Sequence, residues 1–359
     1  MRSLVVLLLL VLLPLSARAK DKDPTPREII GDFDRIVTPD GVQETYRVEL
    51  GGIEQWVYVR GQSRKNPLLL FVHGGPASPM SAAMWLFQRP LEEYFTIVHY
   101  DQRGAGRTFL EADPRAVAPT LTIERYAADT VELARYLEKR YAVPKVILVG
   151  HSWGTVVALT AALHHPELFY AYVGIGQVVS TRENERISYD YALSEAKRLG
   201  NRAAQTELEA LAPYPGDRPL TRERIIGARK WAQYYGGLSA YRNASRYYFD
   251  APLLSPDYDD AAVDAIDKGS LLTLGRILPE FLAVDFRKVG KIALPVVMLL
   301  GRHDYTTPTE PTERWLAQLQ APSKRSIWFE NSAHLIPFEE PGKLLVSLVQ
   351  YVRPLAISH

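Results

Sequence analysis

The chain has 359 residues, 42 basic and 41 acidic side chains for a formal net charge of +1, and 47% hydrophobic against 23% charged residues. That balance excludes wholesale disorder and disfavours a protein that binds nucleic acid by neutralising phosphates. The length fits one large α/β domain carrying an insertion, and the absence of cysteine removes disulfides, Cys nucleophiles, iron–sulfur clusters, Cys-based zinc sites and a lipidated-Cys anchor.

Met1-Arg2-Ser3 leads into an unbroken apolar run over residues 4–13, followed by Pro14 and Ala17-Arg18-Ala19. Basic start, apolar stretch and small-x-small site follow each other as in a secretory signal peptide. A run this short covers only about half a bilayer core as a helix. The expectation is an exported protein, periplasmic or secreted, cleaved after Ala19 and left without a stable membrane anchor. Residues 20–39 are polar and Pro-containing. Residues 46–50 and 55–60 suit two strands around the turn Gly51-Gly52. Residues 67–72 (PLLLFV) are a continuous apolar run, as expected of a strand buried on both faces, and end in His73-Gly74-Gly75-Pro76. Residues 95–100 form a second such run, ending in Asp101-Gln102-Arg103-Gly104. Helical spacing covers 123–141, a third buried strand 145–149 (KVILV), a helix 153–164 and a fourth strand 169–175. The alternation predicts a mostly parallel central sheet with helices on both faces.

The rhythm breaks near Ser180. Residues 181–285 hold no apolar strand run; they are helical in pattern and rich in aromatics, among them Tyr189, Tyr191, Trp231, Tyr234 and Tyr235. Strands resume at 295–300 (PVVMLL) and 325–329, and a last helix covers 341–351. The predicted organisation is a leader over 1–19, a first core part over 20–180, a helical cap over 181–285 and a second core part over 286–359.

The chemistry concentrates at Gly150-His151-Ser152-Trp153-Gly154, a G-x-S-x-G between a buried strand and a helix. A serine on so sharp a turn projects its hydroxyl above the carboxyl ends of the strands, where the next backbone N–H groups and the helix N-terminus converge. It needs a base. His151 is its neighbour, but adjacent residues on a tight turn point apart, and His164 and His165 close a helix end. His334, in Asn331-Ser332-Ala333-His334, emerges from the loop after the last strand at the same sheet edge. Asp304, in Gly301-Arg302-His303-Asp304, follows the neighbouring strand and is the expected orienting carboxylate. Glu330 is a rival acid that points off the sheet. The order Ser152, Asp304, His334 is that of α/β-hydrolases. One oxyanion-hole N–H is assigned to Gly75, with Gly74 the alternative, and the other to Trp153. Asp101 and Arg103 suit a structural ion pair holding the oxyanion loop. No H-E-x-x-H, His-x-His or P-loop occurs, so no metal and no cofactor is expected.

HGGP at 73–76, DQRGAGRT at 101–108, GHSWGT at 150–155, GRHD at 301–304 and NSAH at 331–334 resemble the prolyl iminopeptidase branch of the α/β-hydrolases, peptidase family S33. The resemblance covers about residues 45–180 and 290–350. It implies a cofactor-free serine hydrolase with a helical cap, releasing N-terminal residues, often proline, from small peptides, with Ser152, Asp304 and His334 as the triad. The chain departs from the family at Ala77 and His151, where glycine is usual, and in the cap. There the family carries glutamates for the substrate's free amine near a Trp-x-x-Trp-Glu-like stretch; the nearest segment here is Trp231-Ala232-Gln233-Tyr234-Tyr235-Gly236. Glu183, Glu185 or Glu280 would have to substitute, with Trp231 and Tyr234 as further substrate contacts. Two other readings stand beside the peptidase: a carboxylesterase using the same machinery on small acyl esters, and a non-catalytic binding module on a hydrolase fold.

Overall fold

A computed structural model describes residues 23–217 and 219–357; the leader read over 1–19 lies outside them. The described strands are β1 (Val42–Leu50), β2 (Ile53–Gly61), β3 (Leu68–Val72), β4 (Thr96–Tyr100), β5 (Val146–His151), β6 (Phe169–Ile175), β7 (Val296–Gly301) and β8 (Lys324–Phe329). They form one sheet in the order β1-β2-β4-β3-β5-β6-β7-β8. β1 and β2 pair antiparallel, as do β2 and β4, and all pairs from β4 to β8 are parallel. Every residue of β3, β4 and β5 is buried, which is why these segments carry apolar residues without alternation. β3 lies between β4 and β5, so the strand order reverses there. Ligands of open α/β sheets bind outside the carboxyl ends at such a point. Val72 pairs with Gly150 in register, which sets the His73-Gly74-Gly75 loop beside Ser152.

Helix α1 (Ile123–Tyr141) starts on the Thr122 side-chain cap and stops at Ala142, whose φ of 51° is left-handed. Its buried face includes Tyr126, Ala127, Val131, Leu133, Ala134 and Leu137, the stripe its helical spacing predicts. Helix α2 (Trp153–His164) is apolar all round because it is buried between α1 and the central strands β3, β5 and β6.

Between β6 and β7 lie α3 (Thr181–Arg198), α4 (Arg202–Leu211), α5 (Arg222–Ala232) and α6 (Asp260–Leu282), and an antiparallel bridge between Ser180 and Asp285 pinches the segment at its base. The helices do not form one unit. Tyr189, Ala192, Leu208 and Trp231 belong to a small core built mainly by α3–α5, with Leu282 at the end of α6 packed against it. Helix α6 packs on the hydrolase body: Gly269 approaches so closely that a Cβ there would stand 2.3 Å from the Gly104 carbonyl oxygen, and Phe281 meets Trp153 edge-on at 5.5 Å.

The loop after β4 corrects one expectation. Arg103 does not pair with Asp101. Its Nε and Nη2 reach Asp129 of α1 at 2.6 and 2.9 Å, and Arg103 and Asp129 are both buried. A planar fork satisfied by one carboxylate is a stronger arrangement than a single contact to a neighbour in the same loop. Asp101 instead accepts from the Tyr258 hydroxyl at 2.5 Å, the Ser81 hydroxyl at 2.7 Å and the Arg107 N–H at 2.9 Å. Substituting Arg103→Met is expected to destabilise the fold by about 3 kcal/mol, measured by urea denaturation. That is the lower end for breaking a buried pair, because Arg125 and Gln55 stay bonded to Asp129. An unchanged midpoint would show that this pair contributes nothing.

Candidate active site

Ser152 sits between β5 and α2 with φ 55° and ψ −123°, a backbone conformation costly for any residue with a Cβ. The strain is held by its surroundings. Its N–H donates to the Ile175 carbonyl at 2.9 Å, and its carbonyl accepts from the Thr155 N–H at 2.8 Å and hydroxyl at 2.6 Å. Both flanking glycines are required by space. A Cβ on Gly154 would stand 2.0 Å from the Val72 carbonyl oxygen, and one on Gly150 2.7 Å from that of Gly154. Among the described residues the Ser152 hydroxyl has no hydrogen-bond partner, and the residue is partly exposed. Nucleophile–base hydrogen bonds are often loose without substrate.

Asp304 and His334 meet although the sequence separates them by 30 residues: Nδ1 of His334 lies 2.9 Å from Oδ2 of Asp304. The other carboxylate oxygen accepts the Thr306 and Thr307 N–H groups at 2.9 and 2.8 Å, and the Thr307 hydroxyl lies 3.0 Å from Oδ2. The carboxylate is therefore fixed in rotation, and its bond to Nδ1–H leaves Nε2 of His334 as the basic nitrogen. Gly176 makes room for the ring: a Cβ there would be 2.7 Å from its Cε1. Glu330, the rival acid, pairs with Arg302 at 2.8 and 2.9 Å on the surface.

Gly74 lies against the Ser152 turn. A Cβ on Gly74 would stand 3.1 Å from that of Ser152. Among the described residues neither the Gly75 nor the Trp153 backbone N–H is taken up by a protein acceptor, so both are available to a developing oxyanion. What holds this loop is Gln102. Its side-chain N–H donates to the His73 carbonyl at 3.0 Å, its Oε1 accepts from the Trp153 indole at 3.2 Å, and its backbone N–H reaches His73 Nε2 at 3.2 Å. One glutamine thus laces the motifs at 73–76, 101–104 and 150–154 together.

His151 has no bond to Ser152 among the described residues, but it borders the site. Its ring lies 4.9 Å from that of His334, and its Nε2 donates to the His334 carbonyl at 3.1 Å. The cap contributes as well, through residues 237–240. Gly237 accepts the Tyr305 and Thr306 N–H groups at 3.1 and 3.0 Å, Leu238 accepts the His334 N–H at 3.1 Å, and the Ala240 N–H donates to Glu339 at 2.6 Å. The acid loop and the base loop are therefore both stitched to one cap segment.

The cap residues expected to contact substrate are placed as follows. Glu183 is tied to Arg314 at 2.5 Å and lies 3.8 Å from Arg287. Glu185 is buried, accepts Nε of Arg229 at 2.9 Å and is bonded to the Tyr214 hydroxyl. Glu280 accepts the Ile123 N–H at 2.9 Å, at the start of α1. Glu183 and Glu185 are thus each paired with arginine, whereas Glu280 is met by a backbone N–H. Trp231 donates its indole N–H to Glu207 at 2.8 Å, and both Trp231 and Tyr234 line a cavity in the cap. Among the described residues no cluster of His, Cys, Asp or Glu is arranged to hold a metal ion.

Burial near the site sets a pH dependence of stability. Desolvation pushes His73 down to about 4 and His99 and His151 down to about 3, and it pushes Asp101 up to about 6. The histidines take up protons in the unfolded chain from the ordinary imidazole value downward but stay neutral in the fold, so they cost stability as pH falls from about 6.5. Asp101 acts oppositely: the fold holds its proton where the unfolded chain has lost it, so stability falls as pH rises from about 4 to 6. Three histidines outweigh one aspartate. The urea midpoint is expected to drop as pH is lowered from about 6.5 to 4, and to drop more steeply in Asp101→Asn. A flat or rising profile over that window would contradict the assignment.

Residues 69–348 match a family model described as the alpha/beta hydrolase family. The chain is 31% identical over 309 residues to the probable aminopeptidase YbaC of Bacillus subtilis, covering 85% of this chain and 95% of that protein. It is 26% identical over 252 residues to the proline iminopeptidase of Neisseria gonorrhoeae, covering 67% of this chain and 75% of that one. Among solved structures, the proline iminopeptidase of Mycobacterium smegmatis superposes with a TM-score of 0.61 at 17% identity, over 88% of this chain and 99% of that one.

Proposed function

The chain belongs to the alpha/beta hydrolase family, and from that premise we propose that it is an exported serine hydrolase that releases N-terminal residues from small peptides through an acyl-enzyme. The observation that carries this reading is the Asp304–His334 pair at 2.9 Å beside a serine held at φ 55° on a strand-to-helix turn. Ser152 attacks the scissile carbonyl as His334 Nε2 accepts its proton. Asp304 holds the ring and stabilises the imidazolium. The Gly75 and Trp153 N–H groups take the oxyanion. The imidazolium then gives its proton to the departing amine, and water, activated by the same nitrogen, cleaves the acyl-enzyme. The relatives named as aminopeptidases support the peptide substrate, and the residues 1–19 support export.

A carboxylesterase is the second reading, favoured by one observation: Glu183 and Glu185, which would bind a substrate ammonium, are both occupied by arginines. A panel of aminoacyl arylamides against short acyl esters, combined with fluorophosphonate labelling, separates the readings. Turnover of prolyl or alanyl arylamides supports the peptidase. Ester cleavage with no arylamide turnover supports the esterase, and no labelling of Ser152 in folded protein leaves only a binding module.

A further inference from the structure

The cap holds a cavity of about 690 Å³ whose charged lining residues are all cationic: Arg229, Lys230 and Arg246. Their counter-charges, Glu185, Glu207 and Asp250, stand outside the lining. Arg229 is the most constrained of the three. Its Nε and Nη2 both bond Oε1 of Glu185, which is buried and held in turn by Tyr214. Among the described residues Nη1 has no protein partner, so the fork is fixed on one edge and free on the other. An arginine oriented by a buried carboxylate is a preorganised donor for a second anion.

The cavity is linked to the loop that carries His334 through one shared residue. Its wall includes Leu238, whose carbonyl accepts the His334 N–H at 3.1 Å. Burial lowers the proton affinity of Arg229, but Glu185, then Tyr214 and Asp304, more than offset this, so the guanidinium keeps its charge. Trp231 and Tyr234 supply apolar surface in the same wall.

We propose that this cavity binds the carboxylate of a small substrate, with Arg229 as the residue that receives it. The proposal rests on the hydrolase reading for placing that carboxylate in a substrate. It departs from recognition of a free amine, because the lining holds cationic donors, each paired with a carboxylate behind it, and no carboxylate that an ammonium group would need. Two sources share this chemistry, the C-terminus of a short peptide and an ω-carboxylate on an acyl group.

The test compares kcat/KM for Pro-Ala against Pro-Ala amide, and for mono-p-nitrophenyl glutarate against p-nitrophenyl valerate. A charge-assisted bidentate contact predicts that the acid of one pair is preferred by roughly ten- to a hundredfold. Preference in the first pair assigns a peptide C-terminus, and in the second an acyl carboxylate. In the double variant Arg229→Met, Glu185→Gln, which leaves no buried unpaired charge, the ratio is expected to fall close to one. Equal rates within both pairs in the unsubstituted protein, or a preference that survives the double variant, would overturn the proposal. Isothermal titration of Ser152→Ala with Pro-Ala, glutarate and their amides reads the same preference without turnover. A protein that cleaves nothing removes the hydrolase reading alone. The carboxylate site then stands if one acid binds at least roughly tenfold more tightly than its amide, and falls if acid and amide bind equally or not at all.

Discussion

Replacing Ser152 by alanine is expected to reduce kcat on every cleaved substrate by on the order of 10⁵–10⁶ and to abolish fluorophosphonate labelling. The residual rate comes from substrate binding and the oxyanion donors, which the substitution leaves in place. This variant is informative because its effect on stability should be small. Among the described residues the Ser152 hydroxyl bonds nothing, and the bonds that hold the turn are made by the backbone N–H and carbonyl of the residue, which alanine keeps. Alanine also keeps the Cβ and so inherits the same strained φ of 55°. The urea midpoint should therefore shift by no more than about 0.5 kcal/mol in equivalent stability. Full activity in Ser152→Ala would move the nucleophile elsewhere and end the acyl-enzyme mechanism. Lost activity together with a collapsed midpoint would signal unfolding rather than chemistry.

The second large effect is expected at the acid. Asp304→Asn should lower kcat by on the order of 10⁴ at neutral pH, measured on whichever substrate the panel identifies. The four contacts of the carboxylate explain why an isostere fails. One oxygen accepts two backbone N–H groups, so the amide oxygen of asparagine must take that place. The NH₂ group is then turned toward Nδ1 of His334 and the Thr307 hydroxyl. A donor facing Nδ1 stabilises the tautomer with its proton on Nε2, and that nitrogen can no longer accept from Ser152. Glu330→Gln is the control. Its carboxylate pairs with Arg302 at the surface, and such pairs contribute little, so activity should be unaffected. If Glu330→Gln inactivates the protein and Asp304→Asn does not, the assignment of the acid is reversed.

Much of the framework was legible along the chain because it depends on neighbours in sequence. Continuous apolar runs marked β3, β4, β5 and β7, since a strand covered on both faces has no polar side to alternate with. Helices over Ile123–Tyr141 and Trp153–His164 followed from spacing and from the glycines that force the turn at Ser152. Asp304 and His334 could be paired in advance because both follow strands at one edge of a parallel sheet, where topology alone brings the loops together.

Other features had no local signal. Arg103 chose Asp129 on another element over Asp101 two residues away, because only the packed fold shows which carboxylate can meet a planar fork. Gln102 carries no charge and no periodicity, yet three of its groups join the loop after β3 to Trp153. His151 was discounted on the geometry of a tight turn, and the position of His334, 183 residues further on, decides its contact. The ion pairs that occupy Glu183 and Glu185, and the bonds from residues 237–240 to the loops of Asp304 and His334, likewise join segments far apart in the chain. By itself the sequence determined the sheet, the order of the motifs and the edge on which they gather, since these rest on period and strand succession. Only the tertiary structure decided the partner of each buried charge, because a hydrogen bond between distant residues is selected by distance and angle after packing, and neither is written in local composition.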